Sequence, residues 1–259
     1  FFFVKYNSKY VRLMTSLLNK NVIVTGGGRG IGKATCQLLA QEGANVVITC
    51  RTEEEGLAVE KELSDNGGSA LYIPHDVTSE VSWKNVIERT LETFQRVDSV
   101  VNNAGGFNAE SISDCSLEDF QELLKTSLNG SFLGLKFGTE AIRKHAEGGS
   151  IVMMSSVLAK VGAINMSALS AAHGGIKLLA KAGACELGPE KIRVNSIHPG
   201  LVDTYSDEFF DDKEFIKNIP FKRKADPNEI AETIRFLVSD ESIFMTGAEL
   251  TIDGGLIAQ

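Results

Sequence analysis

The run Asn21–Gly32, NVIVTGGGRGIG, holds the residue types best prepared for a chemical task. Three β-branched residues, Val22, Ile23 and Val24, have the character of a strand buried on both faces. Gly26, Gly27, Gly28, Gly30 and Gly32 follow, and then a stretch that places Ile31, Ala34, Leu38 and Leu39 on one helical side. Strand, glycine turn and helix together present the amides of a helix N-terminus to a pyrophosphate. Any Cβ in that turn would hold a phosphate away from the backbone and obstruct the bend. Gly43 ends the helix ahead of a second strand, Val46–Cys50, which completes the context expected of a dinucleotide site.

Elements that could position such a site alternate along the rest of the chain. A helix over Glu53–Asn66 stops at Gly67-Gly68, and a strand over Ala70–Pro74 leads into His75 and Asp76. The next helix carries Trp83, Val86, Ile87, Leu91 and Phe94 on one face, and the strand Val97–Val101 opens into Asn102-Asn103-Ala104-Gly105. Ser116 with Asp119 three residues on resembles a capping box, from which a long helical region is expected to run towards His145. Ser150–Ser155 reads as the fifth strand, Ile164–Leu187 as a long alanine- and glycine-rich helix, and Ile192–Ile197 as the sixth strand. Asp226, Pro227 and Glu229 open a last helix before a seventh strand, Ala248–Ile252. Strands alternating with helices of this length require an α/β fold with a doubly wound, mostly parallel sheet. No repeat, low-complexity tract or linker interrupts it, so residues 19–259 are expected to form one dinucleotide-binding domain.

At 259 residues the chain is long enough for such a core. A hydrophobic content of 43% and a net charge of −8 describe a globular protein with no nucleic-acid partner. No apolar run has the length of a membrane span. Cys36, Cys50, Cys115 and Cys185 make no CxxC or Cys/His spacing, so they read as free thiols in a reducing, cytoplasmic setting, and no metal is expected. Residues 1–18 carry Lys5, Lys9 and Arg12 but no acid, and the first acid of the chain is Glu42. This extension is expected to lie outside the fold. Residues 1–13 read as foreign to the domain, which starts near Met14, with an organelle-targeting segment as the alternative.

Thr25–Gly32, His75-Asp76, Asn102–Gly105, Ser155-Ser156, RVNSIHPG over Arg193–Gly200 and Asp253-Gly254-Gly255 together resemble the short-chain dehydrogenase/reductase family, from about Asn21 to the C-terminus. Within it the chain is similar to secondary-alcohol and cyclic-alcohol dehydrogenases. The resemblance implies a Rossmann-type sheet, a nicotinamide dinucleotide at the carboxyl ends of the strands, and a homo-oligomer, a dimer or tetramer. Transferred onto this sequence, it places the cofactor against Gly26, Gly28, Arg29, Gly30, Ile31, Gly32, Arg51, Asp76, Val77, Asn103, Ala104, Gly105, His173, Pro199, Gly200, Val202 and Thr204. At the end of the second strand, where an NAD-preferring site places a carboxylate, stand Cys50 and Arg51, with Arg29 in the glycine loop. Two guanidiniums and no carboxylate favour a 2′-phosphate, hence NADP(H) over NAD(H).

The family's chemistry uses an Asn, a Ser, a Tyr and a Lys four residues after the Tyr. Ser156 matches the Ser. The Tyr position holds Leu169, the Lys position holds His173, and the Asn position corresponds to Ser127. Leucine has no ionisable group and cannot act as acid or base. His173 can transfer a proton itself or simply fill the lysine's place. Three readings follow: an NADP(H)-binding protein whose redox activity is absent or strongly reduced, an active oxidoreductase using Ser156 and His173, or a non-catalytic dinucleotide-sensing or assembly subunit. Phe209, Phe210 and Phe215 in the loop Thr204–Pro220 suggest an apolar, cyclic small-molecule ligand.

Overall fold

A computed structural model describes residues 17–204 and 213–258. Seven strands form one sheet: β1 Asn21–Thr25, β2 Asn45–Cys50, β3 Ser69–Pro74, β4 Ser99–Asn102, β5 Gly149–Met154, β6 Ile192–Pro199 and β7 Glu249–Ile252. Their order is β3-β2-β1-β4-β5-β6-β7, and every pairing is parallel. The strand order reverses between β1 and β4, and a doubly wound sheet opens a crevice at that point, outside the strands' carboxyl ends.

Helices cover both faces because the strands bury side chains on both. On one side α1 Gly30–Gln41, α2 Glu53–Asp65 and α8 Pro227–Val238 enclose Val22, Val24, Val46, Ile48, Val101 and Ile197. On the other, α3 Glu80–Phe94, α5 Gly130–Arg143 and α6 Ser167–Leu187 enclose Ile23, Val47, Ile73, Val100, Ile151 and Val194. Trp83 is fully buried there and donates its indole N–H to the Val77 carbonyl at 3.0 Å, which fixes the start of α3 beneath the end of β3. Among the described residues no helix is long and apolar enough to cross a membrane. Leu17, inside the stretch expected to be an extension, is fully buried against the α1/α8 core.

Two expectations shift in detail. The long helix begins at Ser167 rather than Ile164, because Asn165 takes a left-handed conformation, φ +63°, that a helix cannot run through. The region after Ser116 is not one helix: α4 Leu117–Leu124 passes through a π-turn, Lys125–Asn129, into α5. Of the alanines in the alanine-rich helix α6, Ala168, Ala172, Ala180 and Ala184 are buried, while Ala171 and Ala182 are exposed.

Candidate functional site

The turn after β1 is sewn to the segment after β4. The Thr25 hydroxyl accepts the amides of Asn103 at 2.9 Å and Ala104 at 3.0 Å, and it donates to the Val101 carbonyl. The Asn103 side chain returns a bond to the Thr25 carbonyl at 2.9 Å. Gly26 and Gly30 adopt φ +66° and +52°, a region that disfavours other residues. A Cβ on Gly32 would strike the Gly26 carbonyl oxygen, so the helix packs where only glycine fits. Arg29 precedes α1 with an extended backbone and no side-chain cap, leaving the first-turn amides facing outwards. That is the cradle a pyrophosphate requires.

A crevice of about 460 Å³ opens over this cradle. Gly26, Gly28, Arg29, Gly30, Ile31 and Gly32 line it from the loop and Arg51 from the end of β2. Asp76 and Val77 line it after β3, Asn103, Ala104 and Gly105 after β4, and Thr204 from the far side. His173, Pro199, Gly200 and Val202 are outside that lining. Pro199 ends β6, and Gly200 donates its amide to the Ile252 carbonyl at 2.9 Å. Val202 is buried beneath Ala225.

At the far end of the crevice Arg29 and Arg51 are both exposed, and neither makes an ion pair among the described residues. Asp76 accepts from the Thr78 amide and hydroxyl at 2.9 and 2.8 Å, which holds its carboxyl below the usual range, and the Arg51 charge helps. Two groups here lay beyond the sequence reading. His75 is buried edge-on to Trp83 with Nδ1 3.0 Å from the Thr49 hydroxyl, and burial takes its pKa down to about 4. Glu55, in the first turn of α2, reaches back to Gly28. Its three-glutamate context looks like ordinary dipole-complementing charge, so only the packing of α2 on β3 exposes its position.

The catalytic-type positions Ser156, Leu169, His173 and Ser127 are outside the lining of that crevice. Ser156 follows β5, and its hydroxyl accepts the Leu158 amide at 3.2 Å. Leu169 sits in the first turn of α6 and is 3% exposed. It packs with Leu123, Met166 and Ala168 in a small apolar cluster separate from the two main cores, with Phe120 and Leu158 partly buried against it. His173 lies one turn further on the same face. Burial, with His198 nearby, takes its pKa down to about 4, and its buried Nδ1 has no hydrogen-bond partner among the described residues. His198 itself is fully buried, with Nδ1 3.1 Å from the Ser156 carbonyl and Nε2 2.9 Å from the Ser196 hydroxyl. Ser127 is buried in the π-turn, where its hydroxyl accepts the Gly106 amide at 3.0 Å. Tyr205, Phe209 and Phe210 lie outside the described residues. Among the described residues no group of three or more His, Cys, Asp or Glu side chains is arranged to hold a metal ion.

A protein family described as enoyl-(acyl carrier protein) reductase matches residues 26–257. A trans-4-hydroxycyclohexanecarboxylate dehydrogenase from Sinomonas cyclohexanicum is 39% identical over 94% of this chain and 95% of its own length. An NADP-dependent (R)-specific alcohol dehydrogenase from Lentilactobacillus kefiri is 37% identical over 94% of this chain and 98% of its own. A crystal structure of a short-chain type dehydrogenase/reductase from Mycobacterium marinum superimposes with a TM-score of 0.92. It is 30% identical to this chain and covers 96% of it and 99% of the solved chain.

Proposed function

Because this chain belongs to the short-chain dehydrogenase/reductase family, we propose that it binds a nicotinamide dinucleotide, NADP(H) ahead of NAD(H), with alcohol/carbonyl redox activity absent or strongly reduced. The glycine cradle fits the pyrophosphate: Gly26 and Gly30 take left-handed backbone conformations, and a Cβ on Gly32 would strike the Gly26 carbonyl oxygen. The guanidiniums of Arg29 and Arg51, in no ion pair among the described residues, support the 2′-phosphate, which arginine holds through paired hydrogen bonds. The NADP dependence of the Lentilactobacillus relative agrees with that choice.

When bound, a nicotinamide ring supplies or takes up a hydride, and the matching proton has to move through the protein. The observation that carries the loss of activity is Leu169: a saturated side chain, packed among apolar neighbours, at the position where the family has its acid. His173 is neutral at physiological pH and therefore offers neither a lysine's positive charge to the ribose nor an easily released proton. Ser156 keeps a hydroxyl able to donate to a carbonyl oxygen, because its bond to Leu158 uses it only as acceptor. Losing a positioned acid typically costs about 10²–10⁴ in rate, and groups that act as a unit lose most of it at the first removal.

The ligand beside the dinucleotide is assigned as an apolar, cyclic small molecule, its ring in keeping with the cyclohexane ring of the Sinomonas relative's substrate. The assembly is assigned as a homo-oligomer and the compartment as the cytoplasm. An NADPH fluorescence titration followed by a panel of cyclic and aryl ketones tests the reading: binding without turnover supports it. Turnover that disappears in His173→Ala replaces it with an active oxidoreductase using Ser156 and His173.

A further inference from the structure

The end of β2 offers no carboxylate to the adenosine ribose, yet the fold returns one from α2. Gly56 permits this: a Cβ there would run into the Tyr72 ring, so the first turn of α2 lies flat against β3. Glu55, the residue before it, is thereby held over the glycine loop. The position that a Cβ would occupy on Gly28 is 2.9 Å from the Glu55 Cβ, 3.2 Å from its Oε2 and 3.0 Å from the Cys50 sulfur. Glu55 lines the same crevice as Arg29 and Arg51, and it makes no hydrogen bond or ion pair among the described residues. Glu53 and Glu54, on the same turn, are exposed and outside the lining.

We infer that Glu55 is a cofactor-selectivity residue, its carboxylate opposing the Arg29 and Arg51 guanidiniums at the ribose 2′ position. This rests on the proposal that the crevice holds a nicotinamide dinucleotide. A carboxylate accepts a hydrogen bond from a 2′-hydroxyl and repels a 2′-phosphate, whereas the arginines attract the phosphate. Glu55 adjoins Gly28 and Cys50, the residues immediately before Arg29 and Arg51, so the site keeps NAD(H) as a usable ligand and holds NADP(H) below the affinity the two arginines alone would give. Cys50 responds to the same charge: burial and then the Glu55 carboxylate push its thiol pKa up, so the sulfur stays neutral and adds no second anion.

Glu55→Gln tests the assignment, because glutamine keeps a hydrogen-bond acceptor and removes only the charge. Dissociation constants for NADPH and NADH are measured by fluorescence titration on the full chain, with Glu54→Gln as a same-charge control. The expected result is that NADPH binds about tenfold tighter in Glu55→Gln, while NADH changes less than about threefold. The tightening should shrink at high salt, and Glu54→Gln should match the parent. Equal shifts for both cofactors, no shift, or the same shift in Glu54→Gln would overturn it. A parent that favours NADH, with a ratio that still moves in Glu55→Gln, removes the NADP(H) preference and leaves the role of Glu55 standing. A parent that binds neither cofactor removes both.

Discussion

The Ser155 hydroxyl donates to the backbone carbonyl of His173 at 3.0 Å, tying the end of β5 to the second turn of α6. Residues 156, 169 and 173 are therefore held in a fixed mutual arrangement by backbone that their own side chains do not determine.

That arrangement makes the missing acid testable by replacement. Leu169→Tyr with His173→Lys should create or greatly raise NADPH-dependent carbonyl reduction. The lysine has to accompany the tyrosine, because a phenol alone titrates near about 10 and its neighbour's charge draws that value down. Tyrosine is bulkier than leucine in a packed cluster, so the double variant should lose about 1–3 kcal/mol of stability, read by thermal unfolding. A folded, NADPH-binding double variant that reduces no ketone in the panel would show that the adjoining pocket has diverged too.

Arg51→Asp should move cofactor preference the other way from Glu55→Gln. Placing a carboxylate at the end of β2 should weaken NADPH at least about tenfold relative to NADH. The comparison of the two dissociation constants decides it, and an unchanged ratio would remove the basis for assigning NADP(H).

Stability should fall as pH drops from about 6.5 towards 4. His75 and His173 have folded pKa values of about 4, and an unfolded histidine titrates near about 6.5. Between those values the unfolded chain binds more protons, so acid favours unfolding; above about 6.5 these two groups contribute no slope. Each adds up to about 1.4 kcal/mol per pH unit within the window. Melting curves of the parent and His75→Leu across pH 7.5 to 4.5 should show the smaller slope in the variant, and equal slopes would mean that the His75 ring titrates in the folded state as it does in the unfolded chain.

The assigned homo-oligomer makes a prediction on α6. Ala171, Leu178, Ala182 and Cys185 are exposed at helical spacing, and Phe132 is exposed on neighbouring α5. A symmetric copy could pack closely on such a surface. Leu178→Lys should leave monomers at micromolar concentration by sedimentation, and a parent that is itself monomeric would remove the assignment.

The alternation of strands and helices was legible because buried parallel strands need unbroken runs such as Val22–Val24, and because glycines mark the ends of helices. The phosphate cradle was legible for the same reason: few sequences tolerate so many glycines between a strand and a helix. The replacement at Leu169 was visible only through resemblance to a family, since nothing in SALSAAHGG itself says that a tyrosine is absent. Glu55 was not legible at all. It begins a helix in a run of three glutamates, and its neighbourhood arises from a tertiary close approach between Gly56 and Tyr72, residues separated by a whole helix. The π-turn at Lys125–Asn129 escaped as well, and its Ser127 hydroxyl accepts the Gly106 amide, a contact that no local pattern encodes.

The Thr25 hydroxyl, with its three bonds to Val101, Asn103 and Ala104, turns two separate loops into one rigid cup before any ligand arrives. The conformational entropy of ordering those loops is then lost during folding rather than during association. Dinucleotide capture should behave as a rigid docking event, with a heat-capacity change set by the area the ligand itself covers. The Asn103 and Ala104 amides, both bonded to the Thr25 hydroxyl, should exchange with deuterated solvent slowly even in ligand-free protein. Thr25→Val keeps the side chain's shape but cuts those bonds, and it converts the cup into two independently moving lips. Its signature would be rapid exchange in both loops together, with the melting temperature restored in part when the ligand closes them again.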